Sequence, residues 1–156
     1  MKSIFDNSIA QTRYIPKNTK HEESIQKAVC RYIRLQYSHV IFRSDYASGI
    51  KLTRNQAVQH ASMQSGRGWP DLFIYHKSAS GKWNGLALEL KRDGETVYLK
   101  NGARKGMLTT DAHIQEQAAM LQRLRQQGYY ADFAVGYDAA VKIIDQYFGN
   151  DNGELF

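Results

Sequence analysis

The sequence predicts an α/β fold in which a mixed sheet is flanked by helices, and three observations carry that reading. Short apolar runs rich in aromatic residues and leucine, such as Leu72-Phe73-Ile74-Tyr75 and Leu86-Ala87-Leu88-Glu89-Leu90-Lys91, read as strands. Longer segments, from His21 to Tyr37 and from Thr110 to Gln127, carry apolar residues at helical spacing. The two kinds of segment interleave along 156 residues, about the length of one domain with a sizeable core.

Taken in order, residues 1–19 are polar and irregular, with Pro16 and Asn18 ahead of the first helix, and read as an arm. The helix from His21 to Tyr37 places Ile25, Val29, Tyr32 and Ile33 on one face, and Cys30 beside Val29 reads as a small buried hydrophobe. Val40 to Ser44 follows as a strand. A polar helix is expected from Thr53, its N-cap, through Met63, ending at Gly66 and Gly68. The next two strands, Leu72 to Tyr75 and Leu86 to Lys91, form a hairpin through the turn residues Ser80-Gly81-Lys82-Trp83-Asn84-Gly85. Arg92 to Gly106 is a basic excursion to which Gly94, Gly102 and Gly106 lend freedom to move. The helix from Thr110 to Gln127 buries a stripe of Ala118, Leu121 and Leu124. A strand from Tyr130 to Val135, a helix from Asp138 to Phe148 and a loose tail from Gly149 complete the chain. One domain is therefore expected over 20–148, with an arm at 1–19 and a tail at 149–156; no repeat, low-complexity tract or internal linker interrupts it.

Charge narrows the partners. The chain holds 21 Lys and Arg against 15 Asp and Glu, a net charge of +6, and its pI is about 9.4. That balance favours a polyanion, although charge alone fits any basic soluble protein. One cysteine allows no internal disulfide and fits a reducing cytoplasm. The N-terminus lacks a signal-peptide apolar core, and no run approaches the roughly 20 apolar residues that cross a bilayer. A soluble, cytoplasmic, intracellular protein without membrane partners is expected, the host cell of a virus being one such setting. His21, His39, His60, His76 and His113 are too dispersed for a structural zinc site.

The chemistry concentrates in two short stretches, Gly68-Trp69-Pro70-Asp71 and Glu89-Leu90-Lys91. In a hairpin the start of one strand lies beside the end of its partner, so Asp71 and Glu89 converge and can share one metal. Mg²⁺ takes oxygen ligands, usually one or two carboxylates with water and phosphate, and Mn²⁺ accepts the same ligands. Such an ion can neutralise a phosphodiester, activate water and stabilise the leaving alkoxide. Lys91 shares a strand face with Glu89 and can orient the attacking water or offset developing charge. Each stretch alone is common in structural settings; together, in strand context, they point to a nuclease.

Two further residues bear on that site. Glu22 lies three and seven positions before Ile25 and Val29, on the inward side of its helix, where a carboxylate is costly without a partner; it also suits the positive helix N-terminus. Glu23 falls more to the outside. Gln117 lies on the Thr110 to Gln127 helix, where taken alone a glutamine reads first as a surface residue.

Glu22-x-x-Ile25-Gln26, Gly68-x-Pro70-Asp71, Glu89-x-Lys91 and Gln117 followed by Leu121, Leu124 and Gly128 together resemble the VRR-NUC domain, a branch of the PD-(D/E)XK nuclease superfamily. The resemblance covers about residues 20–148. It implies an αβββαβ core, akin to restriction endonucleases, that binds divalent metal and hydrolyses DNA. On the same basis Asp71, Glu89 and Glu22 are metal ligands, Lys91 is the catalytic lysine and Gln117 completes the catalytic set. Small stand-alone VRR-NUC proteins resemble junction resolvases, which implies a homodimeric endonuclease acting on branched DNA. Adjacent acids at Glu22 and Glu23 leave the spacing to Gln26 and the helix phase to decide between them.

Substrate contacts are expected from two basic stretches, Lys51, Arg54 and Arg67 on one side and Lys100, Arg104 and Lys105 on the other. His113, four residues before Gln117, shares its helical face and reads as a phosphate contact, a cap or a surface residue. Phosphate contacts position DNA without reading its sequence, and no base-reading module is evident. A nicking or restriction-like nuclease on linear duplex and a DNA-binding module that does not cut are the alternative readings. The intact acid and lysine set argues against the latter.

Overall fold

The computed structural model describes residues 21–45 and 52–149; the arm at 1–19, Lys51 and the tail after Gly149 lie outside them. Eight elements follow in order: α1 (Glu22–Gln36), β1 (Phe42–Ser44), α2 (Arg54–Ser62), β2 (Leu72–Ile74), β3 (Leu86–Lys91), α3 (Ala112–Gln126), β4 (Tyr130–Val135) and α4 (Tyr137–Tyr147). The strands form one sheet in the order β1-β2-β3-β4. β1 and β2 are antiparallel, as are β2 and β3, whereas β4 runs parallel to β3. A parallel neighbour needs a long crossover, and α3 supplies it.

Strand alternation divides the core in two. Leu72 and Ile74 of β2 and Leu86, Leu88 and Leu90 of β3 face α1 and α4, packing with Ile25, Val29, Ile33, Val141 and Ile144. Ala87, Ala131 and Phe133 face the other way, onto Ile114, Met120, Leu121 and Leu124 of α3. Covered on both sides, β3 is buried along its whole length, which is why its sequence is nearly continuous in leucine and alanine. No helix among the described residues is long and apolar enough to cross a membrane.

Local signals set the helix ends. Glu22 and Glu23 occupy the first turn of α1, where carboxylates offset the helix dipole. Thr53 and Gln56 form a reciprocal capping box on α2, none of whose residues is buried; capping chemistry, not a core face, defines that helix. The Asp111 side chain accepts from the backbone N–H of His113 and Ile114 at the start of α3.

Two expectations change. Ala118 is only half-buried, and the buried stripe of α3 instead runs through Ile114, Gln117, Met120, Leu121 and Leu124. This phase turns Gln117 inward. The basic excursion after β3 is also more regular than its composition implies. Leu99 and Met107 bond at 2.8 Å, Gly106 and Leu99 at 2.7 Å and Thr109 and Val97 at 2.9 Å, and an antiparallel bridge joins Tyr98 to Leu108. It is a short hairpin arm, and Gly102 and Gly106, with φ of 80° and 82°, serve its turn.

Candidate active site

The β2 and β3 register pairs Leu72 with Leu88, so Asp71, one residue before β2, stands opposite Glu89. By strand alternation both side chains share the α3 face with Phe73 and Ala87. Like charges placed opposite each other in a sheet are destabilising, which makes the pair costly as a purely structural feature. Asp71 is nevertheless firmly held. Its Oδ2 accepts from the backbone N–H of Leu90 at 2.9 Å, and its carbonyl accepts from Asp45 N at 2.8 Å and Ser44 Oγ at 3.1 Å.

Glu89 is 3% exposed. Its Oε1 accepts from Lys91 Nζ at 3.0 Å and from the Gln117 amide of α3. Its Oε2 is buried with no hydrogen-bond partner. Burial pushes the Glu89 carboxyl up to about 8; Asp71 adds to the shift and Lys91 opposes it. A buried oxygen without a donor loses its hydration uncompensated. The Gln117 amide also meets His113 Nε2 at 3.1 Å, and with both amide hydrogens donated, that ring nitrogen is the acceptor.

Lys91 is as deeply buried as Glu89, and its ammonium also lies 3.9 Å from Glu22 Oε1. Burial draws its pKa down, but Glu89, and then Glu22, outweigh burial, leaving it above the ordinary lysine range and charged. Glu22 itself departs from the expected inward position, since its side chain remains 49% exposed. It stands at the mouth of the cluster because it opens α1, before the helix passes beneath the sheet. Its pKa is raised, first by burial and then by Glu95, with Lys91 opposing. Glu23 points away and pairs with Lys27 at 2.6 Å on the exposed side of α1.

The donor set fits a hard divalent cation. Asp71, the unpartnered Glu89 Oε2 and the more distant Glu22 are all oxygen donors. Among the described residues no group of three His, Cys, Asp or Glu side chains is drawn close enough to hold a metal alone. Mg²⁺ ordinarily takes one or two carboxylates and fills its shell with water and phosphate.

The cluster thus unites Glu22, Asp71, Glu89, Lys91, Gln117 and His113. Of the basic residues, Arg67 is exposed and lies 3.8 Å from Glu116 of α3. Arg54 is exposed at the start of α2, and Lys100, Arg104 and Lys105 are exposed on the hairpin arm. Three further residues shape the site: Gln26 and Gly68 belong to the sequence motifs already quoted, whereas Glu95 does not. Gln26 is buried and donates to Ser44 Oγ at 2.8 Å and Asp45 O at 2.7 Å, tying α1 to the segment that holds Asp71. Its position one helical turn after Glu22 is the signal. Glu95, paired with Arg92 at 3.3 Å, is an acid within a stretch whose composition is basic. Gly68 has φ +75°, and a Cβ there would come within 2.7 Å of the Glu116 carbonyl and 3.0 Å of Gln117 Cα. Glycine lets the chain pass close under α3 just before Asp71.

Architecture and site define an α/β domain with a carboxylate and lysine cluster at one end of its central strand. Its fold is that of a solved structure described as a "VRR_NUC domain protein", with a TM-score of 0.58 and 21% sequence identity over 85% of this chain and 92% of that one. No family model matches the sequence, and no curated protein matches it.

Proposed function

We propose that this chain is a metal-dependent DNA endonuclease built on a PD-(D/E)XK core. The observation that carries the reading is the Asp71 and Glu89 pair: two carboxylates opposed on one sheet face, the second buried beside Lys91 with Oε2 unpartnered. Stability does not explain such a pair, whereas a divalent cation and an anionic substrate do. The shared fold with a VRR_NUC domain protein supports the same reading.

Asp71 and Glu89 would hold Mg²⁺, or Mn²⁺, with Glu22 reaching it from the mouth of the site. When bound, the ion supplies charge neutralisation at the phosphate and a more acidic water. Gln117 fixes the Glu89 carboxylate through Oε1 and leaves Oε2 for the metal. The buried ammonium of Lys91 orients the attacking water and offsets charge that develops on the phosphate. Arg54, Arg67, His113 and the arm cations Lys100, Arg104 and Lys105 contact the DNA backbone, as does Lys51. The resemblance to stand-alone VRR-NUC proteins extends the proposal to a homodimer that resolves branched DNA, one site cutting each strand.

Incubating the purified chain with labelled linear, single-stranded, flap and four-way DNA, with and without Mg²⁺, tests this directly. Cleavage that requires the metal and is faster on the flap and four-way substrates than on linear duplex is expected. Absence of cleavage on every substrate with Mg²⁺ and with Mn²⁺ would overturn it.

A further inference from the structure

Among the described residues, α3 covers its face of the sheet over β3 and β4 and reaches β2 only at Phe73. A cavity of about 370 Å³ opens there, between the outer strands and the C-terminal end of α3. Its floor is aromatic. Trp69 and Phe73 have ring centroids 5.9 Å apart, and Phe73 and Tyr75 lie 6.1 Å apart with planes inclined by only 17°. Arg43 of β1 pairs with Phe73 in the register and lines the same space, as do Gln64 and Gln127.

The strip is continuous with the site. Trp69, Phe73 and Tyr75 share one chain segment with Asp71, whose carboxylate is held on the β3 side by the Leu90 N–H at 2.9 Å. Asp45, in the cavity wall, donates its backbone N–H to the Asp71 carbonyl at 2.8 Å. Tyr75 is 49% exposed and Phe73 partly so, which leaves ring surface open to a stacking partner.

We propose that this cavity receives an unpaired nucleobase of the DNA strand adjacent to the scissile phosphate, stacked on Phe73 and Tyr75, with its edge met by the Gln64 and Gln127 amides and a flanking phosphate met by Arg43. Aromatic faces stack any base with little sequence preference. Amides offer both a donor and an acceptor, as a base edge requires. A cation beside the rings suits a polyanion better than an apolar peptide. The inference rests on the nuclease reading and deepens it: the site would select DNA that already carries an unpaired base, and fully paired duplex would have to be opened first.

The test uses 2-aminopurine, whose fluorescence is quenched by stacking, placed at an unpaired position of a branched or gapped DNA, with Ca²⁺ in place of Mg²⁺ to suppress cutting. The wild type should quench this probe and bind it more tightly than a fully paired duplex of the same length. Tyr75→Ala and Arg43→Ala should each weaken binding to the unpaired substrate, Tyr75→Ala by about 10-fold, with binding to paired duplex unchanged by Tyr75→Ala. Tyr75→Phe, which keeps the ring, should retain the preference. Equal affinity for paired and unpaired DNA in the wild type would overturn the proposal, as would loss of self-association in Tyr75→Ala with DNA binding intact, since the cavity would then hold a second copy. Cutting assayed separately in Mg²⁺ distinguishes the two levels. Cleavage without base preference removes the pocket and leaves the nuclease; stacking without cleavage removes the nuclease.

Discussion

Two glutamate and lysine pairs lie within one small domain and behave as opposites. On the outer face of α1, Glu23 and Lys27 meet at 2.6 Å with side chains more than half exposed; on the inner face of β3, Glu89 and Lys91 meet at 3.0 Å with side chains 4% and 3% exposed. The shorter contact is the less consequential one. An exposed i,i+4 pair contributes only about 0.3–0.5 kcal/mol, whereas a buried pair must overcome the desolvation of both charges and is weak evidence of stabilisation. Asp71 opposite Glu89 increases the cost again. An arrangement that costs stability and leaves a carboxylate oxygen unpartnered is what the proposed metal chemistry accounts for, and the outer pair is accounted for by helix geometry alone.

The contrast is broken most severely at the inner pair. Asp71→Ala or Glu89→Ala should abolish cleavage, a loss of at least about 100-fold, while DNA binding in Ca²⁺ persists because neither residue is a phosphate-binding cation. Lys91→Ala should lose cleavage to a similar extent but retain metal affinity by calorimetry. Lys27→Ala, on the outer pair, should leave both unchanged. Equal rates in Lys27→Ala and Lys91→Ala would erase the distinction between the two pairs.

A smaller effect is expected where the two faces meet, at the adjacent acids of α1. Glu22→Gln should slow cleavage by about 10-fold, because its carboxylate faces Lys91 at 3.9 Å. Glu23→Gln should be near neutral. The reverse ranking in single-turnover assays would assign the site to the wrong acid. Gln117→Ala should weaken metal binding by about 10- to 100-fold by freeing Glu89 Oε1, which titration with Mn²⁺ measures.

The smallest effect concerns the arm, which is far more exposed than either face of β3. Replacing Lys100, Arg104 and Lys105 by alanine should reduce the slope of log affinity against log salt by about 0.9 for each phosphate no longer neutralised, with metal binding unaffected. An unaltered slope would return these cations to solvated surface.

How much of this was legible in the sequence follows from the physics of each part. β3 and β4 match the expected strands residue for residue, because period-2 patterning and flanking glycines act locally. The Thr53 N-cap of α2 was legible for the same reason. Hairpin geometry anticipated the juxtaposition of Asp71 and Glu89, since antiparallel register depends on chain order. What escaped was phase and tertiary context. Gln117 is buried because α3 turns that face to β3, which its own composition does not specify, and Ala118 is correspondingly turned partly outward. Glu95 gains meaning only once the chain after β3 brings it beside Glu22, and the aromatic floor of Trp69, Phe73 and Tyr75 only once the cavity beside β1 and β2 is seen.

The central claim is that Asp71 and Glu89 form a divalent-metal site, and thermal unfolding of the wild type and Asp71→Asn across a Mg²⁺ series tests it most directly. Asparagine retains an oxygen for the Leu90 N–H that Asp71 accepts at 2.9 Å and removes the like charge opposite Glu89, so the metal-free variant should be as stable as the wild type or slightly more so. Metal at 100 times its Kd stabilises a single site by about 2.7 kcal/mol, and each kcal/mol raises Tm by roughly 2–4 °C in a protein of this size. The wild type should therefore gain about 5–10 °C with Mg²⁺ and Asp71→Asn almost nothing; an equal gain in both proteins, or none in the wild type, would contradict the account.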